Sequence, residues 1–318
     1  MPVKIMSDYV TAYAPASIGN VGVGFDMLGI AVSGAGDRVQ ARKIAGNSIT
    51  ISEVIGLDGK RHPHLSSNPD ENTASIAAQA LWNSHGEGGG VELRVIKGLP
   101  LQSGMGSSAA SAVAATVAVN ALLSKPLSSQ ELLPFALEGE KYASGGVHAD
   151  NVAPSLFGGL VLCPDILLPN VYCLSAPLGI SIVLVNPDLQ VNTAMARKVL
   201  PQKISMELWL KQQGLMSGFI HACNTGDINL LGRTLQDVIV EPYRKNAIPC
   251  FDEVVSAAMQ GGALGCTLSG SGPSMFALCL EKDSENIANA MHQAFMQSKI
   301  SSNFWVSAMN APGAYIEG

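Results

Sequence analysis

The clearest chemistry in the sequence lies in residues 100–110, PLQSGMGSSAA, which lead into a run of small residues. Gly104 and Gly106 allow the backbone to approach a ligand closely, because glycine adopts positive φ at little cost. Ser107 and Ser108 stand where a helix begins, and the first N–H groups of a helix have no partners within it. These amides and the helix dipole form an anion site without a cationic side chain. The segment therefore predicts a phosphate-binding loop, although it contains no lysine.

Two other glycine-loop motifs are disfavoured by the residues around this segment. GMGSSA also matches the dinucleotide fingerprint GxGxxG/A, which requires a second strand that ends in an acidic residue about 20 positions later. The corresponding region, SKPLSSQELL, indicates a turn and the start of a helix, which argues against a nicotinamide cofactor. The Walker sequence GxxxxGK[ST] is absent from the chain. For the segment taken alone, a tightly packed helix start without any ligand remains the alternative.

Regular elements must position this loop, and the strand patterns are clear. Residues 91–99 alternate apolar and polar positions as a half-buried strand does. Residues 37–44 and 48–55 alternate in the same way and are predicted to pair as a hairpin. Further strands are predicted over 9–16, 158–163 and 179–187, and after a glycine-rich turn at 268–274.

Helical patterns flank the loop on both sides. Residues 71–85 have apolar residues at helical spacing, with Asn68 or Asp70 as the N-cap. Ser128 and Glu131 match the capping box S-x-x-E. Further helices are predicted over 128–143, 192–200, 205–223, 226–238, 250–260 and 283–298. This mixture, with hairpin signals and no regular βαβ alternation, predicts an α+β fold.

Composition and charge exclude several classes of protein. The chain has 318 residues, which is enough for two domains of ordinary size. It is 47% hydrophobic and 14% charged, as is typical of a globular protein. A net charge of −6, without a Lys/Arg cluster, argues against nucleic acid as the main partner.

The cysteines and the apolar segments predict a cytoplasmic protein without a membrane partner. None of the six cysteines forms a CxxC pair, which favours free thiols in a reducing compartment. The N-terminal MPVKIMSDYV lacks the long apolar core of a signal peptide. The longest apolar run, at 109–123, is too short and too weakly apolar to cross a bilayer.

Three segments taken together resemble the three motifs of the GHMP kinases: APASIGNVGVGFDMLG (14–29), GLPLQSGMGSSAAS (98–111) and TLSGSGPSMFAL (267–278). Two further stretches, ASGGVHADNVAPSLFGG (143–159) and VEPYR (240–244), are similar to the homoserine kinase branch of that family. The resemblance spans nearly the whole chain. It implies transfer of the γ-phosphoryl group of ATP to the side-chain hydroxyl of L-homoserine, giving O-phospho-L-homoserine for threonine biosynthesis.

The resemblance also implies the architecture. An N-terminal ribosomal-protein-S5-like domain is expected over 1–165, and a C-terminal ferredoxin-like α/β sandwich over 166–318, with a homodimer as the assembly. One alternative is another GHMP kinase that acts on mevalonate or a sugar, against which HADN and VEPYR argue. The other is a non-catalytic nucleotide-binding relative, which would be expected to have lost the loop serines or Glu140.

The resemblance assigns ATP and its metal ion to the loop. Backbone N–H groups would surround the ATP phosphates along Pro100, Leu101, Gln102, Ser103, Gly104, Met105, Gly106, Ser107, Ser108, Ala109 and Ala110. Ser107 or Ser108 would hold Mg²⁺ together with Glu140, since magnesium needs few protein ligands; a solvated helix position is the alternative for Glu140. The family pattern PxGxGLGSSAA differs at Gln102 and Met105. Gln102 matters more, because positive φ there would strain a residue with a side chain.

Homoserine is a zwitterion, and the resemblance implies a separate set of residues for each of its polar groups. The sets are Arg197 and Arg244 for the carboxylate, Asp26 or Asp150 for the ammonium, and Asn20, His148 and Asn151 for the hydroxyl. Arginine suits a carboxylate because its planar donors bind two oxygens. A surface position is the usual alternative for an arginine, and a structural one for a lone histidine.

The sequence suggests no conventional catalytic base. Mevalonate kinase-like relatives place an aspartate and a lysine beside the reacting hydroxyl, and Asn151 and Ser17 stand at the matching positions. An amide does not accept a proton at neutral pH. We therefore expect the hydroxyl proton to pass to the γ-phosphate while the enzyme supplies orientation.

Overall fold

The computed structural model describes residues 8–144, 146 and 148–318, which form two β-sheets with helices packed against them. The strands are β1 (Val10–Gly19), β2 (Leu28–Ile44), β3 (Ile49–Ile55), β4 (Gly90–Ile96), β5 (Leu160–Leu162), β6 (Tyr172–Leu174), β7 (Ile180–Pro187), β8 (Gly265–Leu268), β9 (Met275–Leu280), β10 (Ser302–Ala308) and β11 (Tyr315–Glu317). The helices are α1 (Thr73–His85), α2 (Ser107–Asn120), α3 (Ser129–Ser144), α4 (Ala149–Phe157), α5 (Thr193–Lys198), α6 (Met206–Thr225), α7 (Ile228–Thr234), α8 (Glu241–Arg244), α9 (Phe251–Gln260) and α10 (Ser284–Gln297). Gly145 and Val147, in the stretch 143–159 that resembles the family, lie outside the described residues.

The first sheet has the strand order β11-β1-β2-β4-β3, with β5 paired to β2 and β6 paired to β5. Helices α2 and α4 lie on β1 and β2, and α1 and α3 pack around α2. The main apolar core fills the space between this sheet and these helices. The second sheet has the order β10-β7-β9-β8 and is antiparallel throughout. Helices α9 and α10 cover it over a second apolar cluster. The chain is therefore α+β, as expected.

The predicted hairpin of residues 37–44 and 48–55 is wrong. Both segments are strands, but β4 lies between them, antiparallel to β2 and parallel to β3. Alternation reports which face of a strand is buried and not which strand lies beside it, so the pattern could not identify the neighbour.

The helix caps were predicted correctly for α3 and incorrectly for α1. At α3, Ser128 donates its backbone N–H to Glu131 Oε2 at 2.8 Å, as a capping box requires. At α1 the N-cap is Asn72, whose Oδ1 accepts the N–H of Ala74 at 3.1 Å. Asn68 instead caps a short 3₁₀ helix, Pro69–Glu71, that precedes α1. The same residue type therefore caps two successive helices.

Helix α2 is buried at nearly all of its positions, because its Ala, Ser and Val side chains are small enough for neighbours to touch it on every side. A helix that is apolar all round belongs in a core. Its first turn follows directly on residues 100–106, so the packing of α2 holds the phosphate loop in place.

Several elements were not predicted, because they are short or lack periodicity. They are the first part of β2, the helices α4 and α8, and the strands β6, β8, β10 and β11. Strands β6 and β11 come from the second half of the chain but join the first sheet. The domain boundary between residues 165 and 166 stays a prediction. Over the described ranges, no helix has both the length and the apolar character needed to cross a bilayer.

Candidate active site

The phosphate loop ends in a helix start that no side chain of the described residues caps. Gly106 is the residue before α2 and has φ 67°. A Cβ atom there would collide with the hydroxyl of Ser17, so the turn into the helix requires glycine. The loop lines a cavity of about 390 Å³. The uncapped amides and the helix dipole therefore act on a space large enough for a ligand.

Gln102 adopts the left-handed conformation that the family pattern assigns to glycine. Its φ is 53°, so the strain considered from the sequence is present. The Gln102 carbonyl accepts the N–H of Val191 at 3.1 Å. This hydrogen bond anchors the strained turn to a segment from the second half of the chain.

The third glycine motif packs on the phosphate loop. Ser269 donates its hydroxyl to the carbonyl of Gly104 at 2.6 Å, and the N–H of Ser274 donates to the carbonyl of Ser103 at 3.1 Å. A Cβ atom on Gly104 would lie 2.5 Å from the carbonyl oxygen of Ser269, which explains the glycine. The third motif therefore supports the phosphate loop from the second half of the chain.

A buried lysine lies beneath the loop, although the loop itself contains none. Lys97 Nζ pairs with Asp37 Oδ2 and donates to the carbonyl of Ser107 and to Ser111 Oγ, both at 2.8 Å. The Asp37 carboxylate also accepts the Ser111 hydroxyl at 2.6 Å and the N–H groups of Gly98 and Leu99 at 2.9 and 3.1 Å. This network connects β2, the end of β4 and the first turns of α2.

The alternation of buried positions along the two strands indicates this pair, although the residue types alone do not. Val91, Leu93 and Val95 of β4 point into the core, and Lys97 is next in the same period of two. Asp37 is likewise in register with the buried residues Val39 and Ala41 of β2. A charge at a core-facing position needs a partner, and each of these two residues supplies it for the other.

One of the two loop serines is well placed for a metal ion. Ser108 donates its hydroxyl to Glu140 Oε2 at 2.7 Å, and both residues line the cavity. Glu140 is only 7% exposed, so it is not the solvated helix residue of the alternative. Ser107 instead donates to the carbonyl of Leu99 at 3.3 Å. The Ser108–Glu140 pair supplies the hard oxygen ligands that Mg²⁺ prefers.

A charged cluster lies beside the phosphate loop. Arg197 donates to both carboxylate oxygens of Asp26 at 2.8 Å, and its hydrogen bonds to Asp26 raise its pKa. Arg244 is 4% exposed and donates to the carbonyls of Ala196 and Gly270 at 3.2 and 3.0 Å. Burial lowers the pKa of Arg244, and no carboxylate of the described chain forms an ion pair with it. The buried guanidinium lacks an anion.

His148 and Phe25 complete this cluster. His148 Nδ1 lies 3.9 Å from Asp26 Oδ1, is buried and has no hydrogen-bond partner among the described residues. Burial lowers the pKa of His148, which favours the neutral imidazole. The guanidinium carbons of Arg197 and Arg244 lie 5.2 and 5.3 Å from the centre of the Phe25 ring, within cation–π range. The sequence prediction missed Phe25, which directly precedes Asp26.

The groups expected at the hydroxyl lie between the loop and the cluster. Ser17 donates its hydroxyl to Asn151 Oδ1 at 3.1 Å, and Asn151 lines the cavity. Asn20 donates its side-chain N–H to the carbonyl of Gly270 at 3.1 Å, the same carbonyl that Arg244 contacts. Asn20 also donates its backbone N–H to Asp150 Oδ2 at 3.1 Å.

Asp150 is fully enclosed, unlike Asp26. Burial, followed by the negative charges of Asp26 and Glu140, raises the pKa of Asp150 to about 7. This carboxyl group therefore carries its proton over much of the range in which an ordinary aspartate is ionised. Of the two candidates for the ammonium group, Asp26 is the accessible one, with its side chain 25% exposed.

Backbone strain is concentrated in the turn that carries these residues. Asn20, Val21 and Asp26 have φ values of 67°, 43° and 56°, which is costly for residues with side chains. Asn20 Oδ1 accepts the N–H of Asp26 at 3.1 Å and so holds the turn closed. Strain that the surrounding structure holds in place is typical of functional sites.

The structure brings the predicted site residues into one region. Residues 101–104 and 106–108 of the loop line the cavity together with Glu140 and Asn151, and Gly270 connects it to the cluster around Asp26 and Arg244. The predicted residues Pro100, Met105, Ala109 and Ala110 do not line it, and the N–H of Ala110 donates to the carbonyl of Gly106. Leu65, Asn72 and Thr73 also line the cavity.

Comparison with known proteins gives matches over the whole chain. The family model described as "GHMP kinases N terminal domain" matches residues 72–159, and "GHMP kinases C terminal" matches residues 219–297. A homoserine kinase of Chlorobium phaeobacteroides is 39% identical over 96% of this chain and 99% of that protein. One of Pyrococcus abyssi is 39% identical over 93% and 95%. The crystal structure of a homoserine kinase from Cytophaga hutchinsonii superposes with a TM-score of 0.93 at 39% identity, covering 100% of both chains.

Removal of the buried cation should destabilise the protein strongly. Lys97→Met leaves Asp37 buried without its counterion, so we expect the free energy of unfolding to fall by about 3–5 kcal/mol. Chemical denaturation would measure this loss. The double variant Lys97→Met/Asp37→Asn should recover much of it, since the amide oxygen introduced by the second substitution can still accept the N–H groups of Gly98 and Leu99. Lys43→Met, at a partly exposed pair with Glu87, is the control and should cost under about 1 kcal/mol.

Asp150→Asn should stabilise the protein at alkaline pH. Because the folded-state pKa of Asp150 is raised to about 7, the native protein retains a proton that the unfolded chain has lost above the ordinary aspartate pKa. The contribution of this group to the free energy of unfolding is therefore largest below the ordinary aspartate pKa, and it declines as the pH rises towards 7. Thermal unfolding should show that the variant gains a few degrees more over the parent at pH 8 than at pH 5. Parallel melting curves at both pH values would refute the burial effect.

Proposed function

The chain belongs to the GHMP kinase family, and on that premise we propose that it is an ATP-dependent homoserine kinase that produces O-phospho-L-homoserine. The observation that carries this proposal is the charged cluster beside the phosphate loop. It combines the Asp26 carboxylate with Arg197 and with the buried Arg244, which has no anion. An α-amino acid offers a carboxylate and an ammonium group in the same small space. Its relatives of 39% identity, named as homoserine kinases, support the same substrate.

In the proposed reaction, the uncapped start of α2 binds the ATP phosphates through backbone N–H groups. Ser108 and Glu140 would hold Mg²⁺, which neutralises charge on the phosphate oxygens when it is bound. Asn151, whose Oδ1 accepts the Ser17 hydroxyl, retains its side-chain N–H₂ to orient the substrate hydroxyl. Neither residue accepts a proton at neutral pH, and neighbouring Asp150 is buried, with its Oδ2 accepting the backbone N–H of Asn20. Orientation and electrostatic stabilisation therefore account for the catalysis, and the hydroxyl proton passes to the γ-phosphate.

The alternatives fit these residues less well. Mevalonate carries a carboxylate but no ammonium group, so it would use Arg244 but not Asp26. A neutral sugar carries neither group and would use neither charge. A non-catalytic nucleotide-binding relative would not need the Ser108–Glu140 pair, which is formed here. Threonine biosynthesis follows from the proposed product. A homodimer, a cytoplasmic location and the Mg²⁺ requirement stay predictions.

Substrate selection gives the direct test. Purified protein with Mg-ATP should release ADP with L-homoserine far faster than with D-homoserine, L-serine, mevalonate or galactose, in a coupled assay. L-Serine is the informative control, since it has both charged groups but a side chain shorter by one methylene. Preference for mevalonate or galactose would reassign the substrate, and no ADP release with any of them would favour the non-catalytic alternative.

Arg244→Ala should separate the two substrates. Loss of the buried guanidinium removes the group without an anion that we assign to the homoserine carboxylate. We expect the KM for L-homoserine to rise roughly 10- to 100-fold, with a much smaller change for ATP. Arg233→Ala, at an exposed arginine of α7, is the matched control and should change neither KM. An unchanged KM for homoserine in Arg244→Ala would show that the carboxylate binds elsewhere.

A further inference from the structure

Asp26 and Arg197 bind each other with the same atoms that the proposed function assigns to the substrate. Both oxygens of Asp26 accept from Arg197, Oδ2 from Nη1 and Oδ1 from Nη2, each at 2.8 Å. The planar guanidinium edge that would bind a carboxylate is thus filled by an internal carboxylate. The charge of Asp26, which would attract an ammonium group, is balanced by an internal cation. Homoserine therefore cannot form the bidentate contact with the Nη1–Nη2 edge of Arg197 while the pair is intact.

The pair is accessible and its two members are held unequally. The side chains of Arg197 and Asp26 are 40% and 25% exposed, so a small solute can reach both. Asp26 lies in the strained turn, at φ 56°, and its backbone N–H donates a hydrogen bond to Asn20 Oδ1. Arg197 lies on the six-residue helix α5 and has the longer and more flexible side chain. Opening the pair therefore requires Arg197 to move and Asp26 to stay.

Two groups near the pair have unused binding capacity: Arg244 forms no ion pair with a described carboxylate, and His148 Nδ1 has no described hydrogen-bond partner. Arg244 has no carboxylate and shares the Phe25 ring with Arg197, so an anion at this ring would meet two guanidinium groups. His148 Nδ1, without a hydrogen-bond partner in the described part of the chain, lies 3.9 Å from Asp26 Oδ1. A donor placed at Asp26 would therefore also find an acceptor at His148 when the imidazole carries its proton on the other nitrogen.

We propose that the substrate breaks the Asp26–Arg197 ion pair and replaces each of its two members with its own group of the same charge. This exchange of partners makes the site selective for zwitterions. The carboxylate would take the place of Asp26 on Arg197, and the ammonium would take the place of Arg197 on Asp26. This inference rests on the proposed phosphorylation of homoserine and adds the source of its selectivity.

Selectivity follows because breaking the pair creates two uncompensated charges. An anion without an ammonium group would occupy Arg197 and leave Asp26 unpaired. A cation without a carboxylate would occupy Asp26 and leave Arg197 unpaired. Only a molecule that carries both charges at the spacing of an α-amino acid compensates both residues, and unpaired partly buried charges are costly.

Two fragments of homoserine test the exchange of ion-pair partners, because each fragment should bind one variant more tightly than it binds the parent protein. 4-Hydroxybutanoate lacks the ammonium group, and 3-aminopropan-1-ol lacks the carboxylate. In Asp26→Asn no internal carboxylate competes for Arg197, so 4-hydroxybutanoate should bind about 3- to 10-fold more tightly than to the parent protein. In Arg197→Gln, 3-aminopropan-1-ol should gain affinity by a similar factor. L-Homoserine should bind both variants more weakly than it binds the parent, since each variant lacks one of its partners.

The measurement is the dissociation constant by titration calorimetry, with a nonhydrolysable ATP analogue and magnesium present. Glu317→Gln, which breaks the bidentate pair of Glu317 with Arg38 outside this cluster, is the control and should leave all three constants unchanged. A change in net charge alone would also attract or repel ions through space, and salt screens that effect. The gains should therefore persist at about 0.5 M NaCl, where the Debye length is only a few ångströms.

The outcomes separate this inference from the proposed function. If the parent protein phosphorylates L-homoserine but neither fragment gains affinity in its matching variant, or the gain vanishes at high salt, the exchange is wrong and the function stands. If the parent protein does not phosphorylate L-homoserine, the proposed function and the exchange both fall. Circular dichroism checks that each variant is folded, and the two variants are independent, so a gain in either folded variant supports the exchange.

Discussion

The uncapped start of α2 is the constraint on which the rest of the structure depends. Backbone N–H groups without partners are costly inside a protein, so an open helix start persists only where the surrounding packing leaves no alternative. Gly106 makes the turn possible, and the small side chains of α2 allow neighbours to hold it from every side. Ser269 and Ser274, far along the chain, hydrogen bond to the same loop. Contacts from both halves of the chain therefore compensate for the unfavourable free energy of the unpaired N–H groups at the start of α2.

Two ion pairs near this loop have different roles because they differ in burial. The Asp37–Lys97 pair is enclosed, and every polar atom of it that is described has a protein partner, so it holds β2, β4 and α2 together. The Asp26–Arg197 pair is partly open to solvent and lies beside a buried arginine that has no anion. A closed network specifies structure, whereas an open one can exchange its partners for those of a ligand.

Much of the site could be predicted because glycine and serine act through the local backbone. The helix start at Ser107 and the capping box at Ser128 needed only neighbouring residues, and the strain at Gln102 followed from the family pattern; the structure agrees with each. Contacts between distant segments could not be read in the same way. The β2–β3 hairpin was predicted wrongly because β4 lies between the two strands. Phe25 was not predicted as a site residue because the two arginines that contact it come from the second half of the chain.

The sequence by itself determined the chemical class of this protein, because its three glycine-rich motifs, in this order, match one kinase family. It also contained the charged residues Asp37 and Lys97 at core-facing positions of two strands. Only the tertiary structure decided that these two charges meet, that Asp26 is paired with Arg197 and that Arg244 is buried without an anion. The physical reason is that the energy of a charge depends on its distance to other charges and on burial, which folding sets between residues far apart in the chain.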